Sequence, residues 1–145
     1  MKVRRQIIWA AAILAAQSAA ALADDIPQRK AGLWETTIEV NGKSVTTRQC
    51  VSDATDALII SAQAPADASC SKRLVTKTSD GYLSEYNCKI GSVVLEGRTV
   101  VTGDLNSEFK LESNSVRSGM PNRPDGISRT ILAVARWLSP CEPGK

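Results

Sequence analysis

The sequence predicts a mainly β protein: a single antiparallel curved sheet, or a partial barrel, of about seven strands with one short helix and two disulfides. Three observations predict it. Asn41-Gly42 and Asp80-Gly81 each separate two runs rich in β-formers. Such dipeptides are the strongest short hairpin signals, because the tight primed turns need positive φ. Further turn residues recur at Ile90-Gly91 and Gly103-Asp104, the spacing of an all-β domain. Four cysteines, Cys50, Cys70, Cys88 and Cys141, give the even count of a disulfide framework, and no CxxC pair suggests a redox or zinc motif.

The N-terminus reads as a secretory signal peptide. Met-Lys-Val-Arg-Arg is a basic head, Ile7 to Ala16 an apolar run, and Ala21-Leu22-Ala23 a small-residue cleavage site. The apolar run is too short to span a bilayer, which takes about 20 residues. The expected mature chain is exported to the periplasm, begins at Asp24 and keeps no stable membrane anchor. Residues 24–31 then form a loose polar leader, and residues 32–145 a single β-rich domain.

The first strand starts at Gly32. Along Leu33–Val40, Trp34, Thr36, Ile38 and Val40 share the face that suits a core. A two-residue Asn41-Gly42 loop sets Ile38 opposite Val45, Thr37 opposite Thr46, Glu35 opposite Arg48, and Leu33 opposite Cys50. Apolar, hydroxyl and opposite-charge pairs all match, which supports that register. Ser52 to Ile60 changes character and predicts a short helix, with Ser52 as cap and Asp53 and Asp56 in its first turns. Lys72–Ser79 and Tyr82–Ile90 form a second hairpin. A two-residue Asp80-Gly81 loop would face Val75 with Tyr86 and Arg73 with Cys88. Val93–Thr102 is the next strand, with Gly97 a candidate bulge. Ser107–Val116 follows, then an irregular loop over residues 117–126 with two prolines and two glycines. Ser128–Leu138 is ambiguous between strand and helix; Thr130, Ile131 and Val134 favour a strand. Trp137-Leu138-Ser139-Pro140-Cys141 ends the domain.

Four cysteines allow three pairings. Ladder proximity favours Cys70–Cys88. The need to fix the last strand favours Cys50–Cys141. Cys50–Cys70 stays open as an alternative, since both flank the same helix and loop.

Charge excludes some functions. The full chain carries 18 Lys+Arg, 15 Asp+Glu and a net charge of +3. Lys2, Arg4 and Arg5 leave with the signal, so 15 basic residues face 15 acidic ones and the net charge becomes zero. The remaining basic residues are scattered singly, so no nucleic-acid partner is expected.

Ala31-Gly32-Leu33-Trp34-Glu35 resembles the Pro-Gly-Leu-Trp-Glu opening of the bacterial exported "domain of unknown function" family 3617. Cys50-Val51-Ser52 resembles its Cys-Leu-Thr before a short helix. Cys70, Cys88 and the closing Trp137 to Cys141 resemble its later cysteines and its Leu-Gly-x-Cys end. The resemblance spans nearly the whole expected mature chain. Departures are Ala31 for proline, Ser139 for glycine, and no Pro-Glu pair at the helix start, which bear on local turn geometry. The resemblance implies export and a β-rich disulfide-bonded domain. It implies no settled activity and carries over no catalytic residue.

Catalytic and metal-binding residues are not evident, and no cofactor is expected. There is no histidine, the commonest general base. Ser71 and Lys72 are adjacent, so on a strand they point to opposite faces. Glu35 and Glu39 share a face about 13 Å apart at strand rise, too far for a glycosidase pair. Asp53, Asp56 and Asp67 lack calcium-loop spacing. Trp34 and Trp137 read as structural core. The 117–126 loop, with Arg117, Met120 and Arg123, is the candidate contact surface. The expected function is that of a non-catalytic binding or interaction domain, its partner a protein or a small apolar ligand. The alternative is a small cell-envelope hydrolase.

Overall fold

The computed structural model describes residues 26–52 and 56–142. The expected signal peptide, Asp24, Asp25 and Asp53 lie outside the described residues. Seven strands run antiparallel: β1 (Gly32–Val40), β2 (Lys43–Val51), β3 (Ser69–Lys77), β4 (Gly81–Ile90), β5 (Val93–Asp104), β6 (Glu108–Ser118) and β7 (Ile127–Ser139). One helix, α1 (Ala57–Ser61), separates β2 from β3. Sheet order is β2-β1-β7-β6-β5-β4-β3. The sheet is open, and β2 and β3 are its two edges.

That order has one large consequence. Strands β3 to β7 are successive neighbours, and β1 closes onto β7, so only the β2–β3 connection joins distant strands. It must pass from one edge to the other across a face of the sheet. We call it the crossover. Its helix buries Leu58 and Ile59, and Ala62 follows; all three join the cluster of Trp34, Val101, Phe109, Leu111, Ile131, Ala133 and Ala135. The apolar layer lies between the crossover and the sheet. Trp34 is wholly buried, its ring edge-on to Phe109 at 5.6 Å. Trp137 is only half-buried and sits at the rim beneath Lys30 Nζ, 3.7 Å from its ring centre.

Two disulfides hold the crossover's feet. Cys50, the penultimate residue of β2, joins Cys141 just beyond β7. Cys70, near the start of β3, joins Cys88 on β4. Each edge strand is therefore tied inward where the crossover leaves or rejoins the sheet.

The first hairpin has the expected register, with Asn41 at φ 50° and Gly42 at φ 78°. Thr37 and Thr46 hydroxyls lie 2.8 Å apart, and Arg48 Nη2 is 2.8 Å from Glu35 Oε2. The second hairpin differs. Val75 faces Ser84, Arg73 faces Tyr86, and Cys70 directly faces Cys88. The turn lies one residue earlier than expected: the Thr78 amide donates to Gly81 O, so Ser79 and Asp80 form the loop and Gly81 joins the ladder, and an irregularity between Cys70 and Lys72 brings Cys70 opposite Cys88. Because the shift in the outer part of the ladder is two residues, no side chain changes face.

Gly97 is not a bulge. The ladder runs evenly through Tyr86, Gly97 and Ser115. A β-carbon there would lie 2.2 Å from the Tyr86 ring, so glycine makes room for the tyrosine. The helix is shorter than the sequence suggests, and its cap is Asp56, whose Oδ1 accepts from the Ile59 amide at 3.3 Å. The leader is not loose over residues 26–31. Ile26 is buried in the core, Lys30 N donates to Leu105 O at 2.8 Å, and Arg29 is buried against the crossover.

A candidate ligand cleft beside the crossover

The faces of the sheet follow from the register. The crossover covers the side that carries Trp34 and Thr36 on β1, Phe109 to Arg117 at odd positions on β6, and Ile127 to Ala135 at odd positions on β7. Burial falls along β1, β6 and β7 on this face. On β7, Ala135, Ala133 and Ile131 are buried, while Arg129 and Ile127 are exposed. On β6, Phe109, Leu111 and Ser113 are buried, Ser115 is half-buried, and Arg117 is exposed. On β1, Trp34 and Thr36 are buried, while Ile38 and Val40 are half-buried. The crossover covers one end of the face and leaves the other open.

The open end is a cleft of about 460 Å³. Its wall is the crossover from Ile60 to Pro65, and its floor is built from β4 to β7. One row across the floor reads Tyr86, Gly97, Ser115, Arg129; the row below reads Leu95, Arg117, Ile127. A smaller hollow of about 200 Å³ on the β1–β2 side of α1 shares Ser61, Arg129 and Ile131. Ile60 is 62% exposed and Ile127 41%, large apolar side chains left in water at its border.

The crossover's position is fixed by polar contacts as well as packing. Arg29 Nε donates to Asp56 Oδ2 at 2.9 Å, with side chains 5% and 2% exposed. Arg29 Nη1 also donates to Thr36 Oγ1 at 3.3 Å, and its guanidinium lies 5.2 Å from the Trp34 ring. Asp56 thus caps α1 and ties it to the sheet. Further along, Arg73 Nη2 donates to Ala64 O at 2.7 Å, and Gln63 Nε2 to Ile26 O at 3.4 Å.

Among the described residues, the cleft's charged groups are Arg117 and Arg129, and no carboxylate lines it. Neither guanidinium has an ion pair among the described residues, unlike Arg29, Arg48 and Arg136. Burial pushes the Tyr86 phenol above its ordinary 10, partly opposed by Arg117, so Tyr86 is a neutral donor at neutral pH.

The sequence-predicted contact residues separate. Arg117 belongs to β6 and reaches the cleft; Met120 and Arg123 pair in the following turn, outside it. Sequence reading missed Arg129, Ser115 and Tyr86. The available signal was parity: Ile127, Arg129 and Ile131 alternate on one face once β7 is read as a strand.

On the opposite face lie two shallow hollows of about 500 Å³ and 440 Å³; the first holds the Lys72–Glu85 ion pair at 3.1 Å, and the second is lined by Glu39, Lys110 and Glu112 beside the exposed Leu132 and Val134. Among the described residues, no group of three His, Cys, Asp or Glu could hold a metal ion. No helix among them is long and apolar enough to cross a membrane.

A family model, DUF3617, described as "Protein of unknown function", matches residues 29–141. The chain belongs to this family. The DUF3617 match begins at Arg29, the buried partner of Asp56, and ends on Cys141, the partner of Cys50. It therefore spans the sheet, the crossover and both disulfides. No curated protein and no solved structure matches the chain. Two disulfides in a DUF3617 domain point to an oxidising, exported setting.

Proposed function

We propose that this protein is a non-catalytic binding domain of the bacterial periplasm, and that the cleft beside the crossover takes a small apolar ligand. One observation carries the reading. The crossover covers only one end of its sheet face, leaving the apolar Ile60 and Ile127 exposed around an open hollow at the other. A volume of about 460 Å³ lies within the range of small-molecule sites, roughly 300–1,000 Å³. Export rests on the signal-like residues 1–23 and the disulfides.

The non-catalytic reading rests on the acids and bases present. The chain has no histidine. Glu35, Glu85 and Glu108 each pair with a basic residue, and Asp56 is consumed by Arg29 and the helix cap. Asp104 is held below the usual carboxylate range by the Asn106 amide, then its side chain and Ser107, which makes it a poor general acid.

Native mass spectrometry of protein released gently from the periplasm tests this reading. The expected spectrum shows a chain beginning at Asp24, both disulfides intact, and a bound small molecule. Ser115→Trp, which fills the cleft floor, should abolish the adduct while the chain stays folded by circular dichroism. A wild-type chain that is always bare, or an adduct indifferent to Ser115→Trp, contradicts the proposal.

A further inference from the structure

Resting on that reading of the cleft, we propose that its ligand is a single-chain amphiphile with an oxyanion head, held between Arg117 and Arg129. The β6–β7 register pairs Arg117 with Ile127 and Ser115 with Arg129. The two arginines are therefore diagonal neighbours on one face, roughly 7–8 Å apart at the backbone, within reach of long side chains. Both line the same hollow and lack ion-pair partners among the described residues. Guanidinium groups present a rigid fork of donors that matches the oxygens of a carboxylate or phosphate. Ser115 lies directly opposite Arg129 and next to Arg117 on the same face of β6, and Tyr86 lies in the same row. Tyr86 keeps its proton at neutral pH and can donate.

Much of the remaining lining is apolar, beside the polar Ser61, Gln63 and Ser113. Leu95, Ile127 and Ile131 form its floor and Ile60 its border. A bare anion would leave these side chains in water, and a neutral hydrocarbon would leave both guanidiniums unmatched. An acyl or alkyl chain with an anionic head satisfies both. The structure assigns the head to Arg117 and Arg129, and the chain to the strip that runs under Ile60.

Calorimetric titration of the oxidised mature protein with dodecanoate, dodecyl phosphate, neutral dodecyl maltoside and inorganic phosphate, each below its aggregation threshold, tests this. At least one charged amphiphile should bind tenfold or more tightly than the maltoside, and tighter than inorganic phosphate. Arg117→Gln/Arg129→Gln should lose that preference, by roughly tenfold per guanidinium, the scale of one charge-assisted hydrogen bond. Its maltoside affinity should stay unchanged, which also reports that the cleft is intact. Equal binding of charged and neutral chains overturns the oxyanion assignment and leaves the cleft reading standing. Inorganic phosphate binding as tightly as dodecyl phosphate overturns the amphiphile. No binding of any chain overturns both.

Discussion

Asp56→Ala should be among the most damaging single substitutions in this domain. It removes the carboxylate 2.9 Å from Arg29 and leaves a guanidinium that is 5% exposed without its counter-charge. Breaking a buried pair from one side costs about 3–5 kcal/mol. Asp56 also caps α1, and losing such a cap costs about 1 kcal/mol more. The Trp34 and Phe109 rings, 5.2 and 5.9 Å from the guanidinium, remain in place and keep part of its stabilisation. The expected loss is about 4 kcal/mol, a large share of the roughly 5–15 kcal/mol that holds a domain folded. Urea unfolding followed by tryptophan fluorescence measures it. Glu108→Ala is the control: its pair with Arg136 is exposed and should cost under about 1 kcal/mol. Arg29→Met/Asp56→Leu should recover most of the loss, since an apolar pair often replaces a buried ion pair without penalty. If Asp56→Ala costs no more than Glu108→Ala, the crossover is not held in the way described.

Gly97→Ala should destabilise by about 1–3 kcal/mol, because its new β-carbon meets the Tyr86 ring at 2.2 Å; Tyr86→Ala in the same chain should relieve much of that clash in the same melts. Replacing Cys50 and Cys141 together by alanine should cost about 4–5 kcal/mol, and replacing Cys70 and Cys88 about 3 kcal/mol, on the loop-entropy scale for separations of 91 and 18 residues. Reversed order in denaturant midpoints would count against that picture. Tyr86 contributes a pH dependence with a definite sign. Its folded pKa is raised, so its contribution is fully present below about 10 and is lost as pH rises through the higher folded value. Tyr86→Phe should flatten the alkaline fall in stability, and ultraviolet titration at the tyrosinate band should show one of the two tyrosines ionising late.

The first hairpin is legible from sequence because everything that specifies it is local. Asn41-Gly42 dictates the turn, and the turn dictates which residues face each other as far as Leu33 and Cys50. The second hairpin is legible in its parity but not its register, because Gly81 is drawn into the ladder opposite Thr102 and bonds Thr78, which moves the loop back onto Ser79 and Asp80. The crossover is legible only as a change of composition after Cys50. That it spans the sheet follows from β1 pairing with β7, a contact between residues about a hundred apart that no local pattern encodes. The same is true of Arg29 and Asp56, which are 27 residues apart and read singly as a polar leader and a helix start. Gly97 carries the opposite lesson. A lone glycine in a strand suggests a bulge, and only the facing Tyr86 shows that its missing side chain is occupied space. In the cleft, Arg117 was visible as a residue beside an irregular loop. Arg129 and Ser115 join it only when β6 and β7 are laid side by side.

Nuclear magnetic resonance mapping of the amide signals during titration with dodecanoate or dodecyl phosphate tests the central claim most directly. The claim is that the uncovered end of the crossover face is the binding surface. Saturable shifts should cluster at Leu95, Ser113, Ser115, Arg117, Ile127 and Arg129, with Ile60 and Gln63 of the crossover wall following. Val100, Thr102, Glu112 and Leu132, which line the hollow on the other side of the sheet, should not move. Shifts confined to that other side, or none at saturating amphiphile, would contradict the account.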